Sequence, residues 1–267
     1  MRAEAVRFYN ERVQPRHSPR AVLFDLDDTL FDHEQAARSA LQRVHESHTA
    51  FAAWPFDTFE REHALVLEEL HAQVMLGHRS VDDARTERFR RLFAASGVGD
   101  NESLVCATAA GYRETYLGAR RAIDGALAVL SALKPRVRIG IVSNNLLEEQ
   151  QGKIRLCGFE KYVDALVVSE AVGIAKPDPA IFRYALEALS CDPGDAVMVG
   201  DSWLADIEGA HAAGIRAIWF NRNGRLPPPG APLVQEIATL TPMEPLMSAI
   251  FGDSLSPLDA DPRCASA

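Results

Sequence analysis

Cysteine is scarce. The chain of 267 residues has four, at Cys106, Cys157, Cys191 and Cys264, with no C-x-x-C pair and no histidine at ligand spacing beside them. That scatter excludes a cysteine-based zinc site or redox pair and predicts free thiols in a reducing compartment. No run of about 18 apolar residues occurs, which argues against a membrane-spanning helix. The first 19 residues carry Arg2, Arg7, Arg12 and Arg16 beside Glu4 and Glu11 and lack the apolar stretch of a secretory leader, so a soluble cytoplasmic protein is expected. Positive charge is in deficit, with a formal net charge of −9, which argues against a nucleic-acid surface. It leaves room for a small phosphorylated partner, because a local metal ion and one lysine outweigh a global field at close range. Oligomeric state is not legible. Neither a repeat nor a low-complexity tract is present. What the chain has is an ordinary apolar fraction of 47%, enough for one large domain or two smaller ones.

The rest is organised around Arg20 to Asp32, RAVLFDLDDTLFD. Ala21 to Phe24 is an all-apolar run, as in a parallel strand buried on both faces. Asp25 and Asp27 follow at once, with Thr29 two further on, and a buried strand that delivers acids must end there. Open α/β sheets place their sites at strand carboxyl ends. Asp25 therefore reads as an exposed nucleophile or metal ligand, and Asp27 as its acid/base partner. An acidic turn between strand and helix would use the same residue types.

Residues 1–18 show weak helical spacing and read as an extension without an assigned role. From His33 to about Gly118 only helical periodicity appears: Phe59, Val66, Leu70 and Val74 share one face, and the segment reads as about four helices in a bundle. Strand–helix alternation takes over after Ala122. Val137–Val142 is a strand ending at Ser143-Asn144-Asn145, and a helix over Leu146–Cys157 leads to a strand at Ala165–Val168. Pro177-Asp178-Pro179 opens another helix. Ala196–Val199 is a strand ending at Gly200-Asp201, a helix covers Asp206–Ala213, and Ile215–Phe220 is the last clear strand. The pattern predicts an α/β fold, a Rossmann-like parallel sheet with helices on both faces. Its core is residues 19–32 and 119–251, interrupted by an all-helical insert at 33–118. The tail from about Gly252, rich in Ser, Pro and Asp, reads as disordered.

Four sites thus stand at or near strand ends: Asp25 with Asp27, Ser143 with Asn144, Lys176, and Asp201 with Asp206. Singly each has an ordinary structural reading as a turn, a cap or a solvated lysine. Jointly, several acids, a lysine and a hydroxyl match what phosphoryl transfer requires.

With these motifs in hand, the chain resembles the haloacid dehalogenase-like hydrolase superfamily, in its phosphatase branch with a helical cap inserted after the first strand. D-L-D-D-T at Asp25–Thr29 fits the first family motif, Ser143-Asn144 the second, Lys176-Pro177 the third, and G-D-S-W-L-A-D at Gly200–Asp206 the fourth. The resemblance implies that Asp25 attacks phosphorus to form an aspartyl-phosphate, and that Asp27 protonates the leaving oxygen and later activates water. It implies Mg²⁺ held by Asp25, the backbone carbonyl of Asp27 and Asp201, with Asp206 orienting a water. Lys176 and Ser143 would hold phosphoryl oxygens, helped by the Asn144 amide group, and Thr29 would fasten the motif loop by hydrogen bonds.

Other activities of the same superfamily are weighed on single residues. Dehalogenases lack the second aspartate, mutases tend to follow it with Gly-Val where this chain has Asp28-Thr29, and phosphonate cleavage needs a lysine in the insert. No lysine lies between His33 and Gly118. A binding or regulatory protein on the same scaffold is the alternative from another class. The expected substrate is a small phosphomonoester, a nucleoside monophosphate or a sugar phosphate. Phe31, His33 and Trp54 are the candidate contacts to its leaving group, although the cluster of Phe51, Trp54 and Phe56 also suits a core.

Overall fold

The structure, a computed structural model, describes residues 18–99 and 101–252. The expectations for the N-terminal extension and for the tail fall outside the described residues, all but Ser18 and Gly252. Six strands form one sheet: β1 (Ala21–Phe24), β2 (Arg138–Ser143), β3 (Ala165–Val168), β4 (Ala196–Gly200), β5 (Arg216–Phe220) and β6 (Gln235–Ile237). Their order is β3-β2-β1-β4-β5-β6 and every pairing is parallel. The helices are α1 (His33–Ser47), α2 (Phe56–Met75), α3 (Val81–Ala95), α4 (Glu102–Ala119), α5 (Ala126–Leu133), α6 (Leu147–Leu156), α7 (Ser169–Val172), α8 (Pro179–Ala188), α9 (Gly209–Ala212) and α10 (Glu244–Phe251).

β1 is central because it is apolar on both faces. Its side chains alternate: Val22 and Phe24 join one core with Ile139, Ile141, Val197 and Val199, while Ala21 and Leu23 join a second core with Phe182, Ala185 and Met198. The amphipathic helix α8 supplies Ile181, Phe182, Ala185 and Leu186 to the second core. From β1 the chain steps to β2 and β3 on one side, then returns to β4 on the other. That reversal opens a crevice at the carboxyl ends of β1 and β4, the place where open α/β sheets bind ligands.

Between β1 and α5 lie α1 to α4 and a short 3₁₀ turn, Thr49–Phe51. Phe51 anchors this insert, its ring centroid 4.6 Å from Phe59 and 4.9 Å from Phe93. The aromatic contacts rather than intrinsic propensity bind the four helices to one another.

Two elements differ from the sequence reading. β6 was not foreseen: it is three residues long, two of them exposed, and it forms because β5 offers an open edge, with Phe220 opposite Ile237. The expected helix over Asp206–Ala213 begins instead as a widened π-type turn, Trp203–Glu208, before α9. Its N-cap is the Ser202 side chain, and the turn points Asp206 inward with no exposed surface. Among the described residues no helix is long and apolar enough to cross a membrane.

Candidate active site

The end of β1 delivers Asp25 into the crevice, but enclosed, with 6% of its surface exposed rather than open to solvent as the sequence suggested. Lys176, from the loop before α8, donates to Asp25 Oδ1 at 2.6 Å, to Asp206 Oδ1 at 2.6 Å and to the Val142 carbonyl at 2.8 Å. All three ammonium protons are therefore held. Asp206 Oδ2 in turn accepts the Ser202 backbone N–H at 3.0 Å.

Asp25, Asp201 and Asp206 form a cluster in which one carboxylate oxygen from each lies within 4.8 Å of the others. Asp25 and Asp206 thus share one buried ammonium, while Asp201 meets the exposed Arg225 at 3.9 Å. Burial, reinforced by Asp206, Asp201 and Asp27 and only partly countered by Lys176, raises the Asp25 carboxyl well above its ordinary range. Burial and the charge of Asp206 push Asp201 up to about 7. Burial opposes the Lys176 charge, yet Asp206 and Asp25 override it and hold the ammonium above its usual range. Three carboxylates facing one buried ammonium, with only the exposed Arg225 added at 3.9 Å from Asp201 among the described residues, leave an excess of negative charge on hard oxygens that fits a divalent metal.

Asp27 stands apart from that cluster. Lys153 donates to its two oxygens at 2.6 and 2.8 Å, Gln150 at 2.9 Å and Asn145 at 3.1 Å. Burial raises this carboxyl, but Lys153 and then His33 more than offset it and set it at about 2. Asp27 is therefore ionised. Gln150 also donates to Ser143 Oγ at 2.5 Å, so one buried glutamine on α6 ties the first and second motifs together. Lys153 and Gln150 were not singled out from sequence. The available signal was two polar residues three apart on the inner face of the helix after Ser143.

Several expected roles change. Asn144 exchanges both ends of its side chain with the Lys176 backbone, donating to the carbonyl at 2.8 Å and accepting the N–H at 2.7 Å. Its side-chain amide holds the lysine loop in place instead of facing a phosphate. Thr29 is fully buried and its hydroxyl has no hydrogen-bond partner, so it does not fasten the loop. Backbone bonds do that: Asp28 N–H to Phe31 O at 2.7 Å and Phe31 N–H to Leu26 O at 2.8 Å. Asp28 occupies the left-handed region, φ +62°, which aspartate tolerates, and its Oδ1 accepts the Glu34 N–H at 2.8 Å.

Of the three candidate substrate contacts, only His33 faces a cavity; its Nδ1 lies 3.0 Å from the Tyr116 hydroxyl. Phe31 is fully buried in the core, its ring centroid 5.1 Å from Lys153 Nζ. Trp54 is half-buried and packs on Phe51, with centroids 6.0 Å apart. Both lost the role because their apolar area is spent on packing.

The cavity measures about 470 Å³. One wall comes from α2, α3 and α4, and the other from Asn144, Asn145, Leu146, Glu149 and Lys153. It opens beside the residues that hold Asp27. Glu149 Oε1 accepts from both Arg85 and Arg113 at 2.6 Å each, which ties α3 and α4 to α6 across the cavity mouth.

Comparison with known proteins agrees with this geometry. The family model described as haloacid dehalogenase-like hydrolase matches residues 19–214. N-acylneuraminate-9-phosphatase of Mus musculus is 30% identical over 223 residues, 80% of this chain and 87% of the relative. Glyceraldehyde 3-phosphate phosphatase of Pyrococcus abyssi is 29% identical over 202 residues, 75% of this chain and 81% of the relative. Among solved structures, the HAD-hydrolase YfnB from Bacillus subtilis, bound to magnesium, superposes with a TM-score of 0.68 at 25% identity, covering 87% of this chain and all of that one. With four motifs converging on one crevice and a family match across most of its length, the chain belongs to the haloacid dehalogenase-like hydrolases, in their phosphatase branch.

Proposed function

We propose that this protein hydrolyses a small phosphomonoester, a sugar phosphate or a nucleoside monophosphate, with Mg²⁺ and through a phosphorylated Asp25. The observation that carries the reading is the buried Asp25–Lys176–Asp206 array beside Asp201, with Asp27 held separately. Two carboxylates held by separate cations, Asp25 by Lys176 and Asp27 by Lys153, leave one for attack and the other for proton transfer in a two-step displacement.

Asp25 is the nucleophile, aimed by Lys176. As Asp25 attacks phosphorus and the ester P–O bond breaks, the leaving oxygen takes a proton that Asp27 has picked up from solvent on substrate binding. The approach of a phosphate dianion raises the proton affinity of Asp27, since like charges oppose its ionisation. Once deprotonated, Asp27 is the base that draws a proton from water as that water attacks the phosphorylated Asp25. Ser143, held by Gln150, offers its hydroxyl to the phosphoryl group. Asp25, Asp201 and the Asp27 carbonyl would hold Mg²⁺, with Asp206 next to them. When bound, the ion offsets the charge of the acids and of the incoming phosphate. Lys176 does part of the same work without it.

Helices α1 to α4 act as a cap that reads the leaving group, and the Arg85–Glu149–Arg113 bridge supports a closed arrangement. The test is turnover of p-nitrophenyl phosphate and of a metabolite-phosphate panel, with and without Mg²⁺. Mg²⁺-dependent release of phosphate is expected. Absence of turnover on every phosphomonoester, with a protein partner co-purifying, would favour the binding-protein alternative.

A further inference from the structure

The cap wall of the cavity holds a cation that the chemistry above does not use. Arg88, on α3, lines the cavity with 7% of its surface exposed, and among the described residues it has no carboxylate partner. Its guanidinium carbon lies 4.4 Å from the Tyr112 ring centroid and 4.8 Å from that of Phe89, which orients the group by cation–π contact. The Nε is buried without an acceptor, and so is Nε2 of the neighbouring His63. A guanidinium has five N–H donors and deprotonates only at extreme pH, so enclosing one without an anion is costly unless an anion arrives.

The surrounding charges point the same way. Arg85 and Arg113 also line the cavity, and these two share the single carboxylate of Glu149. Arg85 additionally meets the exposed Asp82, and Glu68 lines the cavity from an exposed position. Burial holds His63 well below its usual range, with Arg88 adding to the effect, so that ring is neutral and does not compete for an anion. Around these groups the wall is apolar, with Leu67, Leu70, Val74 and Val81.

We propose that Arg88 receives a carboxylate on the leaving group, so that the substrate is a phosphomonoester of a hydroxy acid, such as a phosphorylated sugar acid. The inference rests on the phosphatase reading and deepens it. One guanidinium lying over two rings matches a monoanion; a second phosphate would bring two charges into an apolar wall where, among the described residues, Arg88 is the one guanidinium without a carboxylate partner. The ester phosphorus would lie over Asp25 while the carboxylate reaches Arg88 on the cap wall, across the cavity from Asn144 and Lys153.

The experiment compares substrates that differ only in that group: 6-phosphogluconate against glucitol 6-phosphate, and 3-phosphoglycerate against glycerol 3-phosphate. Fructose 1,6-bisphosphate against fructose 6-phosphate is the second-phosphate arm. In the wild type at least one acid should exceed its neutral partner in kcat/KM by about 10- to 100-fold, the range expected for a charge-assisted pair. In Arg88→Met that ratio should fall to near 1, and in Arg88→Lys it should fall only part of the way. The ratio is read within one protein, so partial loss of folding cancels, and the wild-type ratios stand even if no variant folds. Turnover of the neutral esters with no preference for either acid would overturn the inference and leave the phosphatase reading standing. So would a preference for the bisphosphate alone, or a ratio unchanged in Arg88→Met. If no phosphomonoester is turned over at all, the phosphatase reading fails and takes this inference with it.

Discussion

Replacing Gly200 by alanine tests whether the acid cluster is as tightly built as its distances indicate. Gly200 closes β4, and its backbone is in a region any residue adopts, so conformational strain plays no part. In an open site a Gly→Ala change stabilises by about 0.4–1 kcal/mol through the unfolded chain. Here a Cβ would lie 2.4 Å from Asp206 Cγ, 2.4 Å from Oδ2 and 2.5 Å from Cβ. Ordinary contact begins near 3.4 Å, so Asp206 has to move by roughly 1 Å. It is fully buried and bonded to Lys176 at 2.6 Å and to the Ser202 N–H at 3.0 Å, and such a shift disrupts both bonds. Overpacking costs about 1–3 kcal/mol. A weakened charged hydrogen bond adds about 1.5–3 kcal/mol. The sum, about 2.5–6 kcal/mol, outweighs the entropic gain and lowers the melting temperature by roughly 3–20 °C. Misplacing Lys176 should also reduce kcat on p-nitrophenyl phosphate by on the order of 10²-fold. The control is Gly152→Ala, in α6, where a Cβ meets nothing within 4 Å and a gain of about 0.5–1 kcal/mol is expected. Gly200→Ala melting within about 2 °C of the parent with an unchanged kcat would refute the reasoning, since a shift of that size is under 1 kcal/mol.

Three other outcomes are expected. Asp25→Asn should abolish turnover without loss of stability, because it removes one carboxylate from a crowded buried cluster and leaves Asp206 to pair Lys176; retained activity removes the nucleophile assignment. Asp201→Ala should weaken the Mg²⁺ dependence of melting and of activity together, and an unchanged Mg²⁺ titration counts against its place in the metal set. For Glu149, burial raises the carboxyl but Arg113 and Arg85 lower it further, so the folded pKa lies below the unfolded value near 4.3. Its contribution is therefore present above that value and lost as the pH falls through the folded pKa. Glu149→Gln should cost about 1–2 kcal/mol at pH 7 and progressively less as the pH falls towards 3, read from melts across that range; a constant difference would show that the bridge does not hold the cap.

The sequence determined what local order along the chain can carry. An apolar run that ends on Asp25 must be a buried strand meeting its edge, and alternating units after Ala122 must stack in parallel. Helical periodicity between His33 and Gly118 sets the insert apart. β6 escaped because three residues, two of them polar, carry no pattern of their own and are recruited by the edge of β5. The tertiary structure decided which residue answers which. Lys176 lies between Asp25 and Asp206, Lys153 holds Asp27 from 126 positions away, Asn144 serves a loop instead of a ligand, and Arg88 has no carboxylate partner among the described residues. These pairings are fixed by distance and burial, through which charges in a low-dielectric crevice choose their partners, and neither quantity is written in the order of residues.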